Sequence, residues 1–140
     1  MDFDTRYRKV LDLRESLRQH REQLIELAVR NLQFTVRDTE KEVDITLERL
    51  QMLEQVRDEL ARRAPLWGSD SQVALMLSYN SSAWLNTAIA SIFVAGNRVE
   101  VKFSSKGRDL MELTAAIYAP IFGREINFVR VPGRASWRWR

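Results

Sequence analysis

Residues 73–103, VALMLSYNSSAWLNTAIASIFVAGNRVEVKF, decide how the chain is read. VALMLS is a short continuous apolar run, which predicts a strand buried on both faces. YNSS has ordinary turn chemistry. AWLNTAIASIFVAG holds helix formers and closes on Gly96, and glycine ends helices because it tolerates a left-handed backbone. RVEVKF alternates valine with polar residues and predicts a second strand. Strand, helix and strand in so short a stretch make one βαβ unit.

Toward the C-terminus the alternation continues. SSKGRDLMELTAAIYAPIFG predicts a helix begun by small capping residues and ended by Gly123. INFVRV predicts a third strand. The order strand, helix, strand, helix, strand implies an α/β fold, with a partial parallel βαβαβ unit over 73–130 and right-handed crossovers. An irregular basic tail occupies 131–140. Toward the N-terminus, APLWGSDS marks a linker at 65–72.

Before the linker the apolar period changes to that of helices. Val10, Leu13, Leu17, Leu24 and Leu27 fall on one face of a long amphipathic helix over 6–32, with His20 in the gap of the row. NLQFTVRD breaks the pattern. Asp38 or Thr39 can cap a second helix that ends near Arg63, ahead of Pro65, and Thr39 with Glu42 has the spacing of a capping box. Its inward residues are expected to be Val43, Leu47, Leu50, Leu53, Val56 and Leu60. The two helices are expected to form an antiparallel hairpin spanning 1–64. There is no internal repeat and no low-complexity block.

The bulk properties bound the function. The chain has 140 residues, enough for one ordinary domain. Apolar residues make up 45% and charged residues 29%, the balance of a globular chain rather than a disordered one. No apolar run is long enough to span a bilayer, and MDFDTRYRKV has no apolar signal core. A cytoplasmic location is the expectation. There is no cysteine, which excludes disulfides, thiolate metal sites and a thiol nucleophile within this sequence. The single histidine cannot build a metal site, and His20 reads as a packed or rim residue. Net charge is +3, but residues 124–140 hold five arginines against one glutamate. The basic character therefore belongs to one tail. Its arginines with Trp137 and Trp139 have the chemistry of phosphate contact and stacking, but no nucleic-acid motif surrounds them, and no nucleic-acid partner is expected.

The strand ends carry the chemistry. In an open parallel sheet, ligands bind beyond the C-terminal ends of the strands. Tyr79-Asn80-Ser81-Ser82 follows the first strand. Lys102, Ser104 and Ser105 end the second. Neighbouring strands would bring these groups together, and the helices that follow would add unpaired N–H groups at their N-termini. An amide, an ammonium, hydroxyls and helix N-termini suit an anionic or sugar-bearing ligand such as a nucleotide. No GxGxxG follows any strand, so the ordinary dinucleotide fingerprint is missing. Plainer roles stand beside these: Asn80 as a turn former, Lys102 as a solvated strand end, Glu40 and Glu42 as acids of a first helical turn.

ALMLSYNSSAWLNTAIASIFVAGNRVEVKFSS resembles the first half of the nucleotide-binding domain in the aldehyde dehydrogenase superfamily. That family shows a strand ending in Pro-Trp-Asn-(Phe/Tyr)-Pro, then a helix, then Ala-(Ala/Gly)-Gly-Asn, then a strand ending in Lys-Pro-(Ser/Ala)-Glu. Tyr79-Asn80 stands at the Trp-Asn pair, Ala95-Gly96-Asn97 matches, and Lys102 stands at the lysine. The upstream helices are similar too, including Glu42-Val43, so the resemblance runs over 6–129. It implies an NAD(P)-dependent oxidoreductase acting on the aldehyde group of donors. The acyl-reductase branch, which reduces activated acyl groups, is a close cousin. On this resemblance Asn80 donates its amide to the substrate oxyanion, a catalytic role. Lys102 contacts the adenosine ribose of NAD or NADP, with Ser104, Ser105 and Tyr79 beside it. Ser105 is neutral where the family has an acid, which leaves room for a 2′-phosphate.

The sequence departs from the family at both prolines of the asparagine motif, at Phe103 in place of proline, and in the short connection over 63–73. The family's catalytic cysteine, general-base glutamate and pyrophosphate-gripping turn come later than the matched segment. The expectation is an N-terminal fragment, inactive alone, whose full-length form takes a dinucleotide and an aldehyde or acyl substrate and forms a homo-oligomer. The abrupt composition of RVPGRASWRWR suits a truncation or frameshift product. The alternative is a non-enzymatic helical and α/β protein-interaction module.

Overall fold

A computed structural model describes residues 1–66, 71–78 and 83–130. Three helices come first: α1 (Phe3–Gln19), α2 (Arg21–Leu32) and α3 (Val36–Arg63), the last followed by a 3-10 turn, Ala64–Leu66. The single helix expected over 6–32 is thus two. They divide at His20, whose N–H donates to the Ser16 carbonyl at 3.1 Å while its ring Nδ1 lies 2.7 Å from the same oxygen. The division falls at the gap in the apolar row, where no buried side chain holds one straight axis.

α3 also starts earlier than expected. Thr35 is its cap, its hydroxyl oxygen accepting from Asp38 N–H at 3.1 Å. Thr39 lies inside the helix, buried, donating its hydroxyl to the Thr35 carbonyl at 2.9 Å. The expected Thr39–Glu42 box does not form, because Thr35 and Asp38 offer the same pairing one turn earlier. α3 runs antiparallel to α1 and α2. Arg57 pairs with Asp4 at 2.5 Å, Arg14 donates to Gln51 at 2.9 Å, and Arg21 grips Asp44 at 2.8 and 2.9 Å. Partner numbers rise on one side as they fall on the other. Val43 and Leu50 are buried as expected, but Val56 is 45% exposed. It lies about 120° round the helix from Leu50, outside the buried stripe.

The second half alternates as read: β1 (Gln72–Met76), α4 (Trp84–Val94), β2 (Arg98–Lys102), α5 (Arg108–Phe122) and β3 (Ile126–Phe128). The strands form one parallel sheet in the order β1-β2-β3. This is an α/β fold, mostly helical, with a small parallel sheet. Consecutive neighbours joined by crossovers of one hand put both helices on one side of the sheet. Phe93 of α4 meets Phe122 of α5 edge-on, with ring centroids 4.9 Å apart.

The register shows the consequence. Val73, Val99 and Ile126 align, as do Leu75, Val101 and Phe128, and this row faces the helices. The alternate row, which includes Gln72, Arg98, Glu100, Lys102 and Asn127, faces away. β1 is therefore not buried on both faces. It lies at the sheet edge, and Met76 is 67% exposed.

α1 to α3 cover the outer side of α4 and α5. One hydrophobic cluster joins Val10, Leu13, Leu17 and Leu50 to Leu85, Ile89, Phe93, Val101, Tyr118 and Phe122. Arg6 is buried within this layer, and its Nη1 donates to the carbonyls of Phe93 (3.1 Å) and Asn97 (3.3 Å) at the end of α4. There Gly96 (φ 103°) lets two bonds close the helix, Gly96 N–H to Phe93 O and Asn97 N–H to Ile92 O. Among the described residues no helix is long and apolar enough to cross a membrane.

Candidate functional site

The three strands end level with one another. Met76 is opposite Lys102, and Val101 is opposite Phe128. The ladder runs one residue further on each side, Leu77 N–H donating to Lys102 O (2.9 Å) and Val129 N–H to Val101 O (2.8 Å). Beyond these ends a cleft of about 710 Å³ opens. That volume is within the range of small-molecule sites. Leu77, Phe103, Met111 and Val129 give it an apolar wall, and Lys102, Ser104, Ser105, Arg108, Glu112 and Arg130 give it a polar rim.

Local chemistry explains how β2 delivers its groups. Val99 and Val101 take the inward positions, so Lys102 falls on the outward one and is only half-buried. Phe103 turns back into the core, buried against the main cluster. Ser104 is extended (φ −63°, ψ 143°), and its Oγ accepts from Lys106 N–H at 3.4 Å, starting a 3-10 turn at Ser105–Gly107 that leads into α5. The turn carries Arg108 to the same cleft as Lys102.

The charges at the rim are not equally engaged. Both oxygens of Glu112 accept from Arg130, one from Nε at 2.8 Å and the other from Nη2. That fork holds the Arg130 guanidinium above its ordinary pKa, chiefly through the hydrogen bonds to Glu112. Neither the Lys102 ammonium nor the Arg108 guanidinium makes a hydrogen bond or ion pair with a described residue.

The helix N-termini differ from expectation. α4 begins after Ala83, which has no side-chain acceptor, and Oε1 of Glu42 on α3 accepts from both Ala83 N–H (3.0 Å) and Trp84 N–H (3.1 Å). α5 begins after Gly107, equally without a side-chain cap, and Oδ1 of Asn31 on α2 accepts from Leu110 N–H at 3.3 Å. Each terminus is therefore capped across the molecule. Glu42 already supplies α4 with the negative charge that a ligand would have brought.

The structure brings Lys102, Ser104 and Ser105 together at the cleft. Tyr79 and Asn80 lie outside the described residues. His20 sits at the joint of α1 and α2 and lines no part of the cleft. Among the described residues no cluster of acids and histidine could hold a metal. Sequence reasoning missed Arg108, Met111 and the Glu112–Arg130 pair. Arg108 was signalled only by its place just after the Lys-Ser-Ser run, at the start of a helix. A second cleft of about 330 Å³ lies at the opposite strand ends, where Arg98 and Arg124 mix with Glu100 and Glu125. No protein-family model and no curated protein sequence matches the chain.

Proposed function

We propose that the cleft binds the adenosine end of NAD or NADP, and that the chain is the nucleotide-binding N-terminal part of an aldehyde dehydrogenase-like oxidoreductase. The observation that carries this reading is Lys102. Its ammonium stands without a partner among the described residues, at a strand end, on the rim of a ligand-sized cleft, next to Ser104 and Ser105. Ribose hydroxyls and phosphate oxygens are natural acceptors for such an ammonium. The apolar wall of Phe103, Met111 and Val129 suits a purine. The residues present therefore fit the adenosine half of a dinucleotide, within a partial Rossmann-like unit. The bound cofactor would supply hydride transfer. The covalent step of such enzymes needs a thiolate, and this sequence holds no cysteine. The role proposed for these residues is binding, with Asn80 as the oxyanion donor of the complete site.

A titration of the full chain with NAD, followed by amide NMR, tests the reading. Saturable shifts are expected at 102–105, and Lys102→Ala should weaken binding about tenfold, the worth of one charge-assisted contact. Shifts that never saturate, or that ignore Lys102→Ala, would sink it.

A second reading, a protein-interaction module, draws on Met52 and Val56, which face solvent on α3. A concentration-dependent mass in sedimentation that Val56→Glu abolishes would favour it.

A further inference from the structure

Resting on the interaction reading of α3, we infer that the partner is a second copy of this chain, docked α3 against α3 in one antiparallel register. The outer side of α3 carries an apolar stripe of its own. Ile45, Met52 and Val56 lie within about 40° of one another round the helix axis, on the side away from the buried Val43 and Leu50. Met52 and Val56 are exposed. With Arg49 the stripe advances by steps of four, three and four residues, the spacing of a two-helix seam. The Arg49 guanidinium lies 4.1 Å over the Trp84 ring of α4, which fixes its charge at the border of the stripe.

The flanking charges name the partner. Turned about a twofold axis between Met52 and Val56, each of these two side chains meets the other on the second copy. Arg49 then faces Glu59 of the second copy, Glu48 faces its Arg62, and Arg63 lays its aliphatic stem along Ile45. The axis repeats each pair, so opposite charges flank the apolar centre at both ends. Other pairings fail. A shift of one heptad one way sets Lys41 against Arg62, and the other way sets Val56 against Glu59. Parallel packing sets Arg49 against Arg49 and Glu59 against Glu59. Within one chain Arg62 and Arg63 share the single carboxylate of Glu59, while Glu48 makes no ion pair among the described residues. Glu48 of the second copy answers the charge left over. No residue lining the cleft beyond the strands belongs to α3, so this docking and nucleotide binding are separate.

One seam of this length falls at the small end of specific interfaces, under about 1,200 Å². The test is sedimentation equilibrium of the full chain from about 10 to 500 μM, where a monomer–dimer equilibrium is expected. Glu48→Arg and Arg62→Glu should each weaken the dimer about tenfold, since each change spoils two pairs. The double variant should restore it, because the exchanged charges still oppose. These positions are exposed, so the thermal midpoint should stay close to the parent's. The sequence holds no cysteine, so a single introduced one reports the geometry. A short bismaleimide should join two copies through Gln55→Cys, beside the axis, and not through Lys41→Cys, roughly 40 Å from its counterpart. A chain that stays monomeric throughout overturns the second copy as partner and leaves α3 to a different protein. A dimer that Val56→Glu abolishes, but that the double exchange does not restore or that Lys41→Cys joins, overturns this pairing and upholds the interaction reading. A dimer that Val56→Glu leaves intact overturns both.

Discussion

Glu42 stands 41 residues before the backbone it caps. Alanine at position 83 offers no oxygen to the first N–H groups of α4, so those donors would stay unsatisfied in a partly buried place. One carboxylate oxygen answers two of them and brings charge to the positive end of the helix dipole. Glu42→Ala should lower stability by about 1–2 kcal/mol in urea unfolding, while Glu42→Gln, which keeps an acceptor without the charge, should lose less. An alanine variant as stable as the parent would remove this role. Asn86 is a second polar residue whose role depends on the fold. Buried in α4, it accepts at Oδ1 from the Tyr118 hydroxyl (2.8 Å) and donates to the Ala83 carbonyl (3.0 Å). Burial pushes the Tyr118 phenol well above its ordinary pKa, so it stays a neutral donor. The Tyr118 contact could not be read from the sequence, since it joins two helices that the chain separates. Lys102 is the opposite case. Its alternation after Val99 and Val101 marks it as a strand-end residue, and the cleft lies where a parallel sheet would place one.

At the scale of elements, the described helices lie on one face of the sheet. Parallel sheets are usually covered on both faces, and their strands are then apolar throughout. β2 instead alternates: Val99 and Val101 are buried, while Arg98, Glu100 and Lys102 lie on the face away from the described helices. Val101→Ala should cost about 2 kcal/mol through lost burial and the space left behind. Glu100→Gln should stay within about 0.5 kcal/mol. Equal costs, measured by the same chemical unfolding, would mean that the second face is covered too. The strands and crossover helices were legible because turn residues and glycines punctuate them and their periods differ. Two boundaries were not. The division at His20 leaves the apolar period of α1 and α2 continuous in sequence, and the cap of α3 could be drawn at either of two Thr-x-x-acid spacings one turn apart. Local patterns rank such choices weakly, and packing against neighbours decides them.

At the scale of the molecule, the helical layer and the α/β unit share one hydrophobic cluster. α4 and α5 bury one side against the sheet and the other against α1 to α3. Leu85, Ile89 and Phe93 would lose their cover if the first three helices were removed. The full chain should therefore melt in one transition by circular dichroism, and residues 65–140 alone should show no cooperative melt. A cooperative transition for the isolated segment would mean that the two layers are stable separately. The sequence by itself determined the parallel βαβαβ order, the antiparallel helices before it and the placing of Lys102, Ser104 and Ser105 at a strand end. Those features rest on short-range periodicity and punctuation, which a single chain displays. Only the tertiary structure decided that both crossover helices lie on one face, that Glu42 and Asn31 close the helix N-termini, and that Lys102 and Arg108 share a cleft. Those are contacts between segments tens of residues apart, or on either side of a turn whose direction no local pattern encodes.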